Sequence, residues 1–332
     1  MINRTQLVSS LLVLSGFSSL LRKLNTMRGI IVPTYHRIGD PGGSILDRGV
    51  FSATPEGFDA QVRFLKTHFD VIGPGDLPTV LAKGDGRYVL ITFDDGYYDN
   101  YEYAFPILKS HGVGATFFIA TGFIDQPQLA WWDEIAWMVR TSTRRFLPRS
   151  QWLRNSIFFD GPTREWAITK LLGVYKSLPA HLTQAYLNYL ANATGSGRCN
   201  LSMNRTWMSW DMLREMKAGG MWIGGHTANH AILARLSRER QEQEILVCRQ
   251  RIEAELKQPM KWFSYPRGKP DTFNHITRAC LKQQGVELAF SYYSGYRRFD
   301  QWDPYDIRRT PVESDTSDYQ FQTMITLPQF FA

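Results

Sequence analysis

Two adjacent carboxylates, Asp94 and Asp95, stand at the end of the run Tyr88-Val89-Leu90-Ile91-Thr92-Phe93, and Gly96 follows them at once. An apolar, β-branched run bounded by Gly86 and Gly96 reads as a strand buried on both faces, as in parallel sheets. Neighbouring carboxylates are costly to bury at such a strand's end without a cation or donors beside them, so the pair points to a metal. His226 and His230 are partners of the right type. They close the stretch Met221-Trp222-Ile223-Gly224-Gly225, and their separation of four puts both imidazoles on one face of a helical turn, within reach of one ion. Two histidines and one carboxylate leave coordination positions open for water and substrate, which is what hydrolysis requires. A third histidine, His36, ends the apolar stretch that starts at Gly29. A lone histidine at a strand end is more often a hydrogen-bonded structural group, so residue type alone leaves its role open.

The elements around these residues alternate. A helix is expected over Phe51 to Phe69, opened by Thr54-Pro55-Glu56 as N-cap, first-turn proline and first-turn acid, with a short strand at Val71-Ile72. Beyond the paired carboxylates come a helix from Tyr101 to His111, closed by Gly112, and a strand from Ala115 to Ala120. Later the pattern resumes as helix Trp210 to Lys217, strand Met221 to Gly225, helix Ser237 to Leu256, strand Trp262 to Pro266, helix Thr272 to Gln284 and strand Leu288 to Tyr292. The tail from Trp302 to Val312 reads as turn-rich. Strand and helix at such short intervals argue for a parallel sheet or barrel. Between them, residues 126–205 lose the buried strands and show helical stretches separated by Pro148, Gly161-Pro162 and Pro179, a helical insertion. Its Trp131, Trp132 and Trp137 could stack on sugars or pack a core. Residues 1–29 carry Leu7, Leu11, Leu14, Leu20, Leu21 and Leu24 diluted by serines, which suits an amphipathic helix packed on the domain or lying at a membrane surface; a targeting segment is the alternative.

Bulk properties narrow the classes further. At 332 residues, 43% hydrophobic and 21% charged, the chain can fold around a large core. Its formal charge of +7 comes from dispersed Lys and Arg, which excludes a nucleic-acid arm. Arg22-Lys23 and Arg28 leave peripheral membrane association open. Cys199, Cys248 and Cys280 form neither a zinc cluster nor a disulfide framework and suit a reducing compartment. The expected location is the cytoplasm or the inner-membrane surface, with a secreted or periplasmic site kept as the alternative.

Thr92-Phe93-Asp94-Asp95-Gly96 followed by His226-Thr227-Ala228-Asn229-His230 resembles the first two motifs of the polysaccharide deacetylases, the NodB-homology enzymes. The resemblance covers most of the chain outside the insertion. It implies an α/β fold: a distorted (β/α) barrel of about seven parallel strands, built from residues 30–125 and 206–332, with the mostly helical insertion at 126–205. It further implies that Asp95, His226 and His230 bind a divalent metal, usually zinc with cobalt or nickel as alternatives, and that Asp94 is the general base. A metal brings the pKa of bound water to about 7, where a carboxylate can take its proton. The third motif corresponds to Phe263-Ser264-Tyr265-Pro266-Arg267-Gly268, which makes the backbone N–H of Arg267 the candidate oxyanion donor. This segment departs from the family pattern, which often has an arginine early and a tyrosine near the end. The arginine that tethers the base is therefore either Arg267 or Arg309, and Arg309 is preferred because Ile307-Arg308-Arg309-Thr310-Pro311-Val312 resembles the arginine turn near the end of many members.

No histidine follows Val312, where the family places the acid that protonates the departing amine. Either the acid is lost or it comes from elsewhere. Val32-Pro33-Thr34-Tyr35-His36 resembles the same strand and histidine moved to the front, as in the circularly permuted deacetylases that act on poly-N-acetylglucosamine, and this assigns His36 as general acid. The function implied is metal-dependent removal of N-acetyl groups from an N-acetylhexosamine-containing glycan or lipid-linked glycan precursor, in exopolysaccharide or cell-surface polysaccharide metabolism. Two rivals stand beside it: the same hydrolysis on a non-acetyl or non-sugar amide, and a catalytically inactive glycan-binding relative. Retention of Asp94, Asp95, His226 and His230 counts against the second.

Overall fold

In a computed structural model, the described residues are 4–16, 20, 28–199 and 205–330. The chain divides into two compact units, the first comprising Met1–Asp40, Val50–Asp125 and Trp207–Ala332, the second Pro41–Gly49 and Gln126–Thr206.

The first unit is the barrel. Its opening apolar run forms β1 (Gly29–Ile31) and β2 (Pro33–Tyr35), with a break at Val32. After His36, β3 (Arg37–Ile38) pairs in parallel with β4 (Phe51–Ala53). β5 (Asp70–Val71) and β1 flank β6 (Arg87–Val89) in a three-stranded parallel sheet. β7 (Thr92–Phe93) and β8 (Thr116–Ile119) follow. In the second unit, β9 (Phe146–Leu147) and β10 (Ile157–Phe158) make an antiparallel hairpin. The barrel then resumes with β11 (Trp222–Gly225), β12 (Trp262–Ser264), β13 (Leu288–Phe290) and β14 (Thr310–Pro311).

Seven of these strands form one parallel sheet in the order β13-β12-β11-β8-β7-β2-β14. A single segment closes it. Ile307 exchanges backbone hydrogen bonds with the end of β13 (Ile307 N to Ala289 O, Ser291 N to Ile307 O), and three residues on, Thr310 N donates to Val32 O and Val312 N to Thr34 O. The result is a distorted (β/α) barrel whose strand ends share one mouth.

The stretch from Tyr88 to Phe93 is therefore two short strands, β6 and β7, where the sequence reads as one. Leu90 N still donates to Ile31 O and Thr116 N to Ile91 O, so the chain exchanges one set of neighbours for another without losing its ladder. Between the barrel strands and the helices around them, Tyr35, Phe93 and Phe117 stack at 5.3 and 4.7 Å, and Phe58 meets Tyr35 and Phe93 edge-on. Phe58 comes from the helix Pro55–His68, whose N-cap Thr54 accepts from Gly57 N as its sequence suggests, with Phe58, Val62 and Leu65 buried. Phe51 to Ala53, expected in that helix, is strand β4. The tail from Trp302 to Val312, expected to be turns, holds β14; beyond it a helix spans Asp318–Thr326, capped by Ser317.

The second unit contains helices Trp131–Thr141, Arg164–Ser177 and Thr183–Thr194 besides the β9–β10 hairpin. Residues 41–49 group with it because Asp47 N donates to Asp133 Oδ1 and Arg140 Nε to Leu46 O. Trp132 and Trp137 are buried, and half-buried Trp131 stacks on Tyr175 at 4.1 Å.

At the front of the chain, a helix spans Arg4–Leu14, alongside the helix Asp318–Thr326. The rest of the helix expected over residues 1–29 falls largely outside the described residues. Ser9 is buried while Leu11 and Leu14 are exposed, so these two leucines do not pack on the domain. Among the described residues, no helix is long and apolar enough to cross a membrane.

Candidate active site

Four of the candidate residues leave the barrel at the carboxyl ends of strands, whereas Arg309 stands just before β14. Asp94 and Asp95 end β7, His226 ends β11, and His36 ends β2. Backbone geometry there is unusual. Asp95, Thr227, His230 and Arg267 have φ of 75°, 64°, 52° and 61°, the left-handed region that costs a non-glycine residue roughly 1–2 kcal/mol. Such strain persists where the surroundings over-determine a conformation, and here it gathers around one point.

The helical turn expected to bring His226 and His230 together is absent. A left-handed turn through Thr227 converges them instead, with ring centroids 4.8 Å apart. The turn is pinned from below: Thr121 N donates to Thr227 O and Gly122 N to Ala228 O at 2.7 Å. Gly122 permits this approach, because a Cβ at that position would lie 2.7 Å from Ala228 O and 2.8 Å from Asn229 Oδ1.

Three ligand atoms face one another. Asp95 Oδ1 lies 3.4 Å from His226 Nε2 and 3.3 Å from His230 Nε2, and it makes no hydrogen bond among the described residues. Edges of this length match a tetrahedron around a cation with ligand distances of about 2.0–2.1 Å. The tautomer is also right. His226 Nδ1 lies 2.7 Å from the carbonyl of Ser264, which can only accept, so the proton sits on Nδ1 and Nε2 presents its lone pair to Asp95. Burial pulls the His230 pKa down to about 3, leaving a neutral imidazole ready to ligate. Burial opposes charge on His226 too, but Asp94 and Asp95 prevail and raise it. A divalent cation would supply that charge in place of the proton, so these three residues fit one.

Asp94 is occupied differently. Arg309 Nη1 donates to its Oδ1 and Nη2 to its Oδ2, both at 2.7 Å, and the Ser264 hydroxyl donates to Oδ2 at 3.2 Å. Arg309 is fully buried, with its Nε on Ser291 O and its Nη2 also on Ser264 Oγ. Against the opposing effect of burial, this guanidinium holds the Asp94 carboxyl well below the usual range. Of the two arginines offered by the sequence, Arg309 is the one that reaches Asp94. Arg267 is half-buried, forms no bond to Asp94, and has Asp271 and Arg235 as its charged neighbours. His36 follows Tyr35, the residue paired with Phe93, so it stands at the end of the strand beside the one that delivers Asp94, with its ring edge-on to Tyr292 at 5.4 Å.

A family model of polysaccharide deacetylases matches residues 82–143 and 157–289, more than half of the chain. The chain belongs to the polysaccharide deacetylase family. Among curated proteins, YxkH of Bacillus subtilis (strain 168), whose name describes it as a polysaccharide deacetylase, is 39% identical over 66 residues. That match covers 19% of this chain and spans about a quarter (24%) of the length of the relative. The Streptococcus pyogenes deacetylase PplD superposes with a TM-score of 0.60 at 17% identity, covering 90% of this chain and 98% of that one. A de-N-acetylase from Aggregatibacter actinomycetemcomitans does so with a TM-score of 0.57 at 16% identity, covering 90% and 99%. At these identities the likeness shows the fold.

Within this site, sequence reasoning missed how Ser264 works. Its carbonyl orients His226 and its hydroxyl bridges Arg309 to Asp94, which joins the ligand set to the carboxylate beside it. Its place as the last residue of a buried strand was the available signal.

Proposed function

We propose that this chain is a metal-dependent hydrolase that removes N-acetyl groups from an N-acetylhexosamine-containing glycan or its lipid-linked precursor. The observation that carries the reading is the convergence of three lone pairs, from Asp95, His226 and His230, beside an arginine-clamped Asp94. Zinc suits the donor set best, and cobalt or nickel would fit the same atoms. When bound, the ion supplies Lewis-acid activation of water and of the amide carbonyl.

The chain's own residues do the rest. Ionised Asp94, held by Arg309, accepts a proton from the attacking water as its oxygen bonds to the acetyl carbon. His36 then donates a proton to the sugar nitrogen as the C–N bond breaks, which gives acetate and a free amine. The backbone N–H of Arg267 is the donor assigned to the oxyanion, and its left-handed conformation suits a group fixed in place in advance.

The reading is tested by acetate release from N-acetylglucosamine oligomers, with lipid-linked sugars in parallel. Stripping the protein with a chelator is expected to abolish release, and zinc, cobalt or nickel to restore it. Full activity in the stripped protein would overturn the site assignment. The Gly122 contact gives an independent check. Gly122→Ala pushes the turn bearing both histidines, so zinc affinity is expected to fall about 10–100-fold in competition titrations against a chromophoric chelator. Unchanged affinity would mean that the turn is not what sets the ligands.

A further inference from the structure

His36 occupies the single residue between β2 and β3, and its backbone is gripped from both sides. Its N–H donates to Ser52 Oγ at 3.0 Å and its carbonyl accepts from Asn100 Nδ2 at 2.7 Å. The next two residues are held by Asp99: Arg37 Nε donates to Oδ2 at 2.8 Å and the Ile38 N–H to Oδ1 at 3.0 Å. The Arg37 guanidinium lies over the rings of Phe51 and Tyr97, at 4.4 and 4.7 Å. Asp99 and Asn100 are both buried, and each follows one member of the Asp94-Asp95 pair by five residues. A π-helical turn over Asn100–Ala104 begins there, a form that inserts a residue and is frequent at functional sites.

We propose that Asp99 and Asn100 are positioning residues that set His36 relative to Asp94 and Asp95, so that one chain segment carries the base and a metal ligand and also fixes the proton donor on the neighbouring strand. This rests on the reading of His36 as that donor. The bonds converge on three consecutive residues, on the backbone of His36 and Ile38 and on the side chain of Arg37 between them, which fixes the register of the strand end. Stability gives no comparable reason for burying Asp99 beside Arg37, because well-packed apolar residues commonly serve as well as a buried ion pair. Position matters far more for a proton donor. Misplacing a reacting group by about 1 Å costs about a hundredfold in rate.

The test is a double-mutant cycle on the zinc-loaded full chain, with an N-acetylglucosamine oligomer as substrate. Asp99→Asn keeps the shape and removes the charge; Asn100→Asp keeps the shape and removes the donor to His36 O. Each is expected to lower kcat about 10–100-fold while KM and zinc content stay near those of the parent, and to lower the unfolding temperature, because Asp99→Asn leaves Arg37 without its carboxylate and Asn100→Asp buries a carboxylate beside Asp99. In a His36→Ala background, each is expected to have less than about a twofold effect, because its route of action is already gone. The proposal is overturned if both variants keep full kcat while His36→Ala is impaired, or if their losses are as large without His36 as with it. A fully active His36→Ala would remove the proton-donor reading itself, and this proposal with it.

Discussion

Asp94→Asn is expected to cut acetamide hydrolysis by about 10²–10⁴-fold while the protein still binds its metal, measured as acetate release and metal content on the same preparation. The two carboxylates share a strand end but not an environment. Both oxygens of Asp94 receive N–H groups of Arg309 at 2.7 Å, and its Oδ2 is 3.9 Å from His226 Nε2. Asp95 has an oxygen with no donor, aimed at both histidines. The amide in Asp94→Asn can keep one contact to Arg309 but can no longer accept a proton from water. Asp95→Asn should do the reverse and lose metal first. If Asp94→Asn empties the site and Asp95→Asn does not, the two roles must be exchanged.

The residues that carry local chemistry were legible in the sequence. An apolar run ending in Asp94-Asp95-Gly96 and a glycine-flanked stretch ending in His226 and His230 both announce strand ends, and the alternation of strands and helices announces the parallel barrel that places such ends at one mouth. What stayed hidden depends on partners far away in the chain. β14 is two residues long and contains Pro311, so it has no pattern of its own; it exists because the Val32 carbonyl accepts from Thr310 N–H and the Thr34 carbonyl from the N–H of Val312 just beyond it. The break between β6 and β7 follows from barrel closure, to which an unbroken apolar run gives no clue. Spacing alone suggested a helical turn for His226 and His230, whereas the left-handed turn depends on Thr121 and Gly122 beneath it. Ser264, Asp99 and Asn100 act by hydrogen bonds that span 170 and 61–64 residues, and no window along the sequence contains both ends of such a bond.

Removing Arg309 should damage the fold as well as the reaction. Arg309→Met keeps a long side chain of comparable reach but leaves Asp94 buried without its cation, and breaking a buried pair in this way costs about 3–5 kcal/mol. The pH dependence of that loss identifies its origin. In the parent, Asp94 titrates in the folded state below its unfolded value of about 3.9, so its ionised form contributes stability above about pH 4 that is lost as pH falls through the folded value. In Arg309→Met, burial acts with less opposition and the folded pKa moves upward. Once it passes the unfolded value, the folded variant holds a proton that the unfolded chain has released, so its stability declines as pH rises above about 4. Urea unfolding of the metal-free proteins from pH 3 to pH 8 is therefore expected to show a gap that is smallest in acid and approaches its full size near neutrality. A gap of constant size would mean that the buried guanidinium matters through its bonds to Ser291 and Ser264, by closing the barrel, and that its charge on Asp94 is incidental. Activity separates the same alternatives, because Arg309→Lys restores a positive charge without the paired donors. Partial recovery of stability with little recovery of turnover would show that the reaction needs Asp94 held in one orientation, which a fork of two N–H groups provides and a single ammonium does not.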